Sequence, residues 1–134
     1  EVQRSRDFTS FSLIRAEGTF QSSNEGQGND SDRRHFQQAM AGKVYVSDPL
    51  ISRATDLPII AIAAPILALP PQPPRPIGVT GGAIDIERVE EVVENISYGK
   101  DSYAFALNSR GVPIVYPEEK PLGTERKPDS SLLE

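Results

Sequence analysis

Residues 58–69 read Pro58-Ile-Ile-Ala-Ile-Ala-Ala-Pro-Ile-Leu-Ala-Leu69, and residues 77–84 read Ile77-Gly-Val-Thr-Gly-Gly-Ala-Ile84. Between them lies Leu69-Pro-Pro-Gln-Pro-Pro-Arg-Pro76. The first run is rich in Ile and Ala on both alternating faces, and Pro65 inside it would break a helix, so it predicts a buried strand. The proline tract has few backbone donors and predicts an extended, solvated connection. The second run predicts a strand whose Gly78, Gly81 and Gly82 let another group approach the sheet closely. Two long strands joined by a stiff connection make a sheet-centred fold.

Outward from this pair, the flanking segments are short. Phe11-Ser-Leu-Ile-Arg-Ala and Gly18-Thr-Phe-Gln-Ser predict a hairpin around Glu17-Gly18. The polar stretch Asn24 to Ser31 predicts a surface loop. Ser31 or Asp32 is placed to cap a short helix that carries Phe36, Ala39 and Met40 on one face and stops at Gly42. Lys43 to Ser47 predicts a strand, and Pro49 to Pro58 an irregular segment. Asp85 to Ile96 predicts the most regular helix, with Asp85 as its cap and Gly99 at the position after its end. Ile86, Val89, Val93 and Ile96 form its apolar stripe. Ser102 to Leu107 and Val112 to Tyr116 predict a second hairpin turning on Asn108-Ser-Arg-Gly111, with Pro113 marking an edge strand. Hairpins dominate and only two short helices are available, so the class is α+β: an antiparallel sheet flanked by short helices on one face. A doubly wound parallel sheet would need a helix after most strands.

Composition narrows the function. The chain has 134 residues, 14 basic and 19 acidic, for a net charge of −5, which disfavours nucleic acid as a partner. It has no Cys and one His, which excludes disulfides, thiol catalysis and a two-His metal site within one chain. No motif pairs a nucleophile with a base, so no enzyme activity, cofactor or metal is expected. The start at Glu1 without Met reads as an excised fragment, and Leu133-Glu134 reads as a tag scar.

Four segments, in order, resemble the double-Cache sensor domains, the PAS-like extracytoplasmic input domains of bacterial receptors. Asp32-Arg-Arg-His-Phe-Gln-Gln-Ala39 with Gly42 and Val46-Ser-Asp-Pro49 is similar to the family's helix-to-strand segment. Ala54-Thr-Asp56 to Pro65-Ile66, Ile77-Gly-Val-Thr-Gly-Gly-Ala-Ile-Asp85, and Gly99 to Pro117 resemble the three that follow. The resemblance spans about residues 14–117. It implies a PAS-like membrane-distal lobe over residues 1–117 and a linker over 118–134 leading to a second lobe. It also implies a small-molecule sensing role outside the cytoplasm for a transmembrane kinase, cyclase or chemoreceptor. A ligand-free PAS-like module that makes a homodimer is the alternative.

The resemblance also places the site. In the amino-acid-binding branch an Arg-x-aromatic-aromatic run grips the ligand carboxylate, and Arg33-Arg34-His35-Phe36 matches it in part. Arg33 could equally form a salt bridge with Asp32 that pins the loop, and Phe36 could belong to the core. That branch also places an Asp on the glycine-rich strand to hold the ligand ammonium; the matching position here is Ala83, which leaves an ammonium without its counter-charge. Tyr45, Ser47 and Asp48 could contribute hydrogen bonds or form a solvated strand end, and Tyr103 on the sheet could face the ligand or the core. The expected ligand is a small organic acid or amino-acid-like molecule.

Overall fold

In the computed structural model, residues 7–96, 99 and 102–115 are described. They group into two compact units divided between Arg88 and Val89. The first unit holds a seven-stranded antiparallel sheet. Its strands are β1 (Ser10–Arg15), β2 (Thr19–Ser22), β3 (Gln27–Asn29), β4 (Tyr45–Val46), β5 (Leu50–Ile51), β6 (Pro58–Leu67) and β7 (Pro76–Asp85), and its helix is α1 (Arg34–Met40). The order across the sheet is β3-β2-β1-β7-β6-β4, with β5 also paired to β6. The α+β class with an antiparallel sheet and short helices is the one the hairpin pattern implies.

β6 and β7 are the spine. They pair from Ile59 opposite Asp85 to Leu67 opposite Pro76, with a register shift at Ile66/Leu67. The connecting Pro-rich segment is exposed and is closed at its base by the Ala68 N–H donating to the Arg75 carbonyl at 2.9 Å. Directly opposed residues share a face of a sheet. The registers therefore put Ile14, Val79 and Pro65 in one row of the inner face. The next rows are Ser12, Gly81 and Ala63, then Ser10, Ala83 and Ala61. Phe20 joins the large-residue row opposite Ile14.

α1 covers that large end. Phe36 and Ala39 bury against Ile14, Phe20, Ala63 and Val79 to form the core. The helix stops as its Gly42 implies. Gly42 adopts φ +88, its N–H donates to the Ala39 carbonyl, and the Lys43 N–H donates to the Gln38 carbonyl, a Schellman closure. The start differs from expectation: Arg33 occupies the N-cap position and no side chain caps the helix. Asp32 does not cap it because its carboxylate is held elsewhere, by Arg53.

Two further expectations are corrected. The polar stretch 24–31 is not all loop, since Gln27–Asn29 pairs with β2 as the sheet edge, and the irregular stretch 49–58 contributes Leu50–Ile51 to β6. β3 is exposed at all three residues and β5 is two residues long, so neither carries an apolar alternation to read.

α2 (Ile86–Glu94) follows β7 directly and continues into the second unit. It ends earlier than Ile96. The Asn95 side chain donates to the Glu91 carbonyl at 2.7 Å, and Gly99, at φ +92, lies beyond the helix rather than at its closing position. The second unit also holds β8 (Ala106–Leu107) and β9 (Pro113–Val115), an antiparallel hairpin. Asn108 makes its turn, accepting from the Arg110 and Val112 N–H groups through Oδ1, each at 2.9 Å. The expected linker over 118–134 lies outside the described residues.

Candidate functional site

The inner-face rows change size along the sheet. Where Ile14, Val79 and Phe20 stand, α1 fills the space. Where Ser10, Ser12, Gly81, Ala83 and Ala61 stand, the side chains are too short to fill it, and a hollow remains. It holds about 500 Å³ of space free of protein atoms, its open mouth included. Gly81 belongs to the floor: a Cβ there would meet Ser12 Cβ and Ile14 Cδ1, 3.7 and 3.8 Å away.

The rim comes from two segments. One is Asp30 to His35, which leads into α1; the other is Leu50 to Ala54, after β5. A network ties them together. The Arg53 guanidinium forks onto Asp32, with Nη1 and Nη2 at 2.6 and 2.8 Å from the two carboxylate oxygens. Its Nη1 also reaches the Asn29 carbonyl and Asp30 Oδ1. Asp30 Oδ2 in turn lies 3.3 Å from His35 Nε2. Arg33 reaches back across the gap, its Nη2 donating to the Ile51 carbonyl at 3.0 Å. Hydrogen bonding from Arg53 holds the Asp32 carboxyl at about 2, well below its ordinary 3.8, and Asp32 raises the already high Arg53 value further.

His35 is buried, 6% exposed, and its Nδ1 has no hydrogen-bond partner among the described residues. A buried nitrogen without a partner is costly, and here it belongs to a side chain that lines the hollow. The rim can offer guanidinium donors, an imidazole nitrogen, and serine hydroxyls from the floor. These groups suit a small polar molecule.

The residues anticipated from sequence fall into distinct places. Arg33, His35 and Ala83 line the hollow together. Phe36 lies in the core, 6% exposed. Tyr45 carries the Arg34 guanidinium 5.8 Å from its ring centroid. Ser47 extends the β4 pairing, its hydroxyl accepting from the Ala61 N–H at 2.9 Å and its N–H donating to the Ala61 carbonyl at 2.8 Å. Asp48 is half-buried in the turn after it. Tyr103 belongs to the second unit, its ring 6.4 Å from that of Phe105. The alternative of an Asp32–Arg33 salt bridge is not realised; Asp32 pairs with Arg53. Arg53, Asp30 and the floor serines were not anticipated. They stand far apart in the chain, and only the sheet register and the fold of the 50–54 segment bring them to one opening.

Chemoreceptor ligand-binding domains share this fold. The ligand-binding domain of Pseudomonas fluorescens chemoreceptor CtaA in complex with L-leucine superimposes with a TM-score of 0.66 and 22% identity, over 83% of this chain and 47% of that one. That of Pseudomonas aeruginosa PctB in complex with L-Arg gives 0.65 and 22%, over 84% and 48%. That of PctC with GABA gives 0.65 and 23%, over 84% and 51%. By sequence, the methyl-accepting chemotaxis protein PctB of Pseudomonas aeruginosa is 27% identical over 92 residues, 67% of this chain and 14% of that protein. No family model matches. The chain thus has the PAS-like fold of these double-Cache sensor domains and spans about half the length of one. Among the described residues, no helix is long and apolar enough to cross a membrane.

Proposed function

We propose that this chain is the ligand-holding, membrane-distal lobe of an extracytoplasmic sensor domain, serving a transmembrane signalling receptor rather than catalysing a reaction. In this reading the lobe spans residues 1–117, and 118–134 leads to a second lobe. The observation that carries it is the hollow over Ser12, Gly81 and Ala83, rimmed by Arg33 and by a buried His35 whose Nδ1 lacks a partner among the described residues. The similar structures are complexes with L-leucine, L-Arg or GABA, which supports a small-molecule ligand here. Binding shifts a receptor's conformational balance only as far as the ligand prefers one state. The rim suits such a preference, because its two segments are joined mainly through side chains that a ligand can re-pair.

The test is a thermal-shift screen of organic acids, amino acids, amines and purines against the 134-residue chain. At least one class should raise Tm, and Arg33→Ala should remove the shift. A flat screen would sink the reading. The ligand-free dimerisation module is the alternative that the exposed Phe11 and Leu13 on the outer face favour. A flat screen together with a dimer in sedimentation would select it.

A further inference from the structure

Net charge does not choose a ligand at this hollow. Asp30 and Asp32 stand against Arg33 and Arg53 at the rim, and with the His35 ring neutral the four charges cancel. Selection falls to hydrogen-bond polarity, and one lining group has its polarity fixed by its neighbours.

His35 stands in the first turn of α1, its side chain 7% exposed, and the Asp30 side chain beside it is 15% exposed. Asp30 is anchored through its backbone and through its carboxylate. Its N–H donates to the Gly18 carbonyl and its carbonyl accepts from the Arg33 N–H, each at 2.9 Å. Its Oδ1 accepts from Arg53 Nη1 at 3.3 Å, and the Arg53 guanidinium is itself set by the fork onto Asp32. Oδ2 is left to face His35 Nε2 at 3.3 Å.

A carboxylate only accepts, so the ring proton belongs on Nε2. The other tautomer would set a nitrogen lone pair against the carboxylate. It would also leave a proton on Nδ1, which has no acceptor among the described residues. In the Nε2–H tautomer Nδ1 is an acceptor without a partner, on a side chain that lines the hollow. Other lining groups do not supply this fixed polarity. The guanidinium groups only donate, and the hydroxyls of Ser10, Ser12 and Ser52 rotate to do either.

Resting on the reading that this hollow is the ligand site, we infer that Asp30 is a positioning residue: it holds His35 in the Nε2–H tautomer, and the site thereby takes ligands that donate an N–H or O–H to Nδ1. Arg53 acts one step further back, by holding Asp30.

The chain has one histidine, so nitrogen NMR of histidine-labelled protein reads this ring alone. At mildly alkaline pH the parent should show the Nε2–H tautomer. Asp30→Asn, whose side chain offers Nε2 either a donor or an acceptor, should show both tautomers. An Nδ1–H ring in the parent, or an unchanged Nε2–H ring in folded Asp30→Asn, would overturn the role of Asp30.

Calorimetric titration of the 134-residue chain then compares glycolate with methoxyacetate, glycine with N,N,N-trimethylglycine, and ethanolamine with O-methylcholine. Within each pair the charge is kept and the donors are blocked. At least one donor-bearing compound should bind tenfold or more tightly than its blocked counterpart, and His35→Leu, checked for folding by circular dichroism, should remove most of that preference. A preference that survives the substitution belongs to the bulk of the methyl groups and overturns the inference. Equal binding within every pair overturns it too, as does no binding by any of the three donors; each of these leaves the sensing reading intact. A chain unresponsive to these compounds and to the wider screen would overturn the sensing reading itself.

Discussion

Arg53 and Asp32 meet fork to fork, two guanidinium nitrogens at 2.6 and 2.8 Å from two carboxylate oxygens, across 21 positions of sequence. The pair joins the segment that enters α1 to the segment that follows β5, and so sets the width of the hollow's mouth. Its parallel geometry requires a planar donor, which lysine cannot supply.

Arg53→Met should lower stability only modestly, because water and salt screen a pair whose carboxylate is exposed. Arg53→Lys should recover only part of that. Urea denaturation of the three proteins measures the order, and a Lys variant equal to the parent would refute the role of the fork.

The same pair fixes a pH dependence. The Asp32 carboxyl sits at about 2 when folded against an ordinary 3.8, so its contribution is complete above pH 3.8 and disappears as pH falls through about 2. Glu17, lowered by the Thr19 hydroxyl 2.7 Å away, acts in the same sense. The Tm difference between the parent and Asp32→Asn should be level from pH 7 to 5 and shrink towards zero near pH 2. A difference that grows on acidification contradicts the assignment.

Phe36 fills the space between α1 and the large-residue row of the sheet. Phe36→Ala should cost about 3–5 kcal/mol, whereas Phe36→Leu should cost much less. Thermal unfolding distinguishes the two. Equal, small losses would mean that Phe36 is not part of the core.

Gly18 turns the first hairpin at φ +91, and a Cβ there would come within 2.6–2.8 Å of Ser31 atoms, backbone among them. Gly18→Ala should destabilise by about 1–3 kcal/mol. Gly81→Ala is the contrasting case, since its Cβ would meet neighbours at ordinary distances of 3.7–3.9 Å. It should leave Tm unchanged or slightly higher while weakening ligand binding by roughly tenfold, one methyl group having been added to the floor. Unaltered affinity in Gly81→Ala would move the ligand away from this floor.

Much of the fold is legible because its largest elements satisfy local rules. Pro65 forbids a helix in a run that is apolar on both faces, Gly42 accepts the conformation that closes α1, and Asn108 builds the turn of the last hairpin. The misreadings occur where local signals are silent or shared. β3 and β5 exist only through backbone pairing with longer strands. Asp32 has the chemistry of a helix cap, but Arg53 claims it from a distance, a competition that no window of neighbouring residues reveals. Arg33, His35 and Ala83 were legible as site candidates through resemblance, whereas Ser10, Ser12, Arg53 and Asp30 were not.

By itself, the sequence determined the longer strands and the two helices, because backbone conformation answers to side-chain period, proline and glycine over a few residues. Only the tertiary structure decided where the hollow lies. That depended on the register that aligns Ser12, Gly81 and Ala63 in one row of small residues, and on Arg53 reaching Asp32 across the mouth. Such alignments follow from pairing between distant strands, and their energies appear only once the chain has closed on itself.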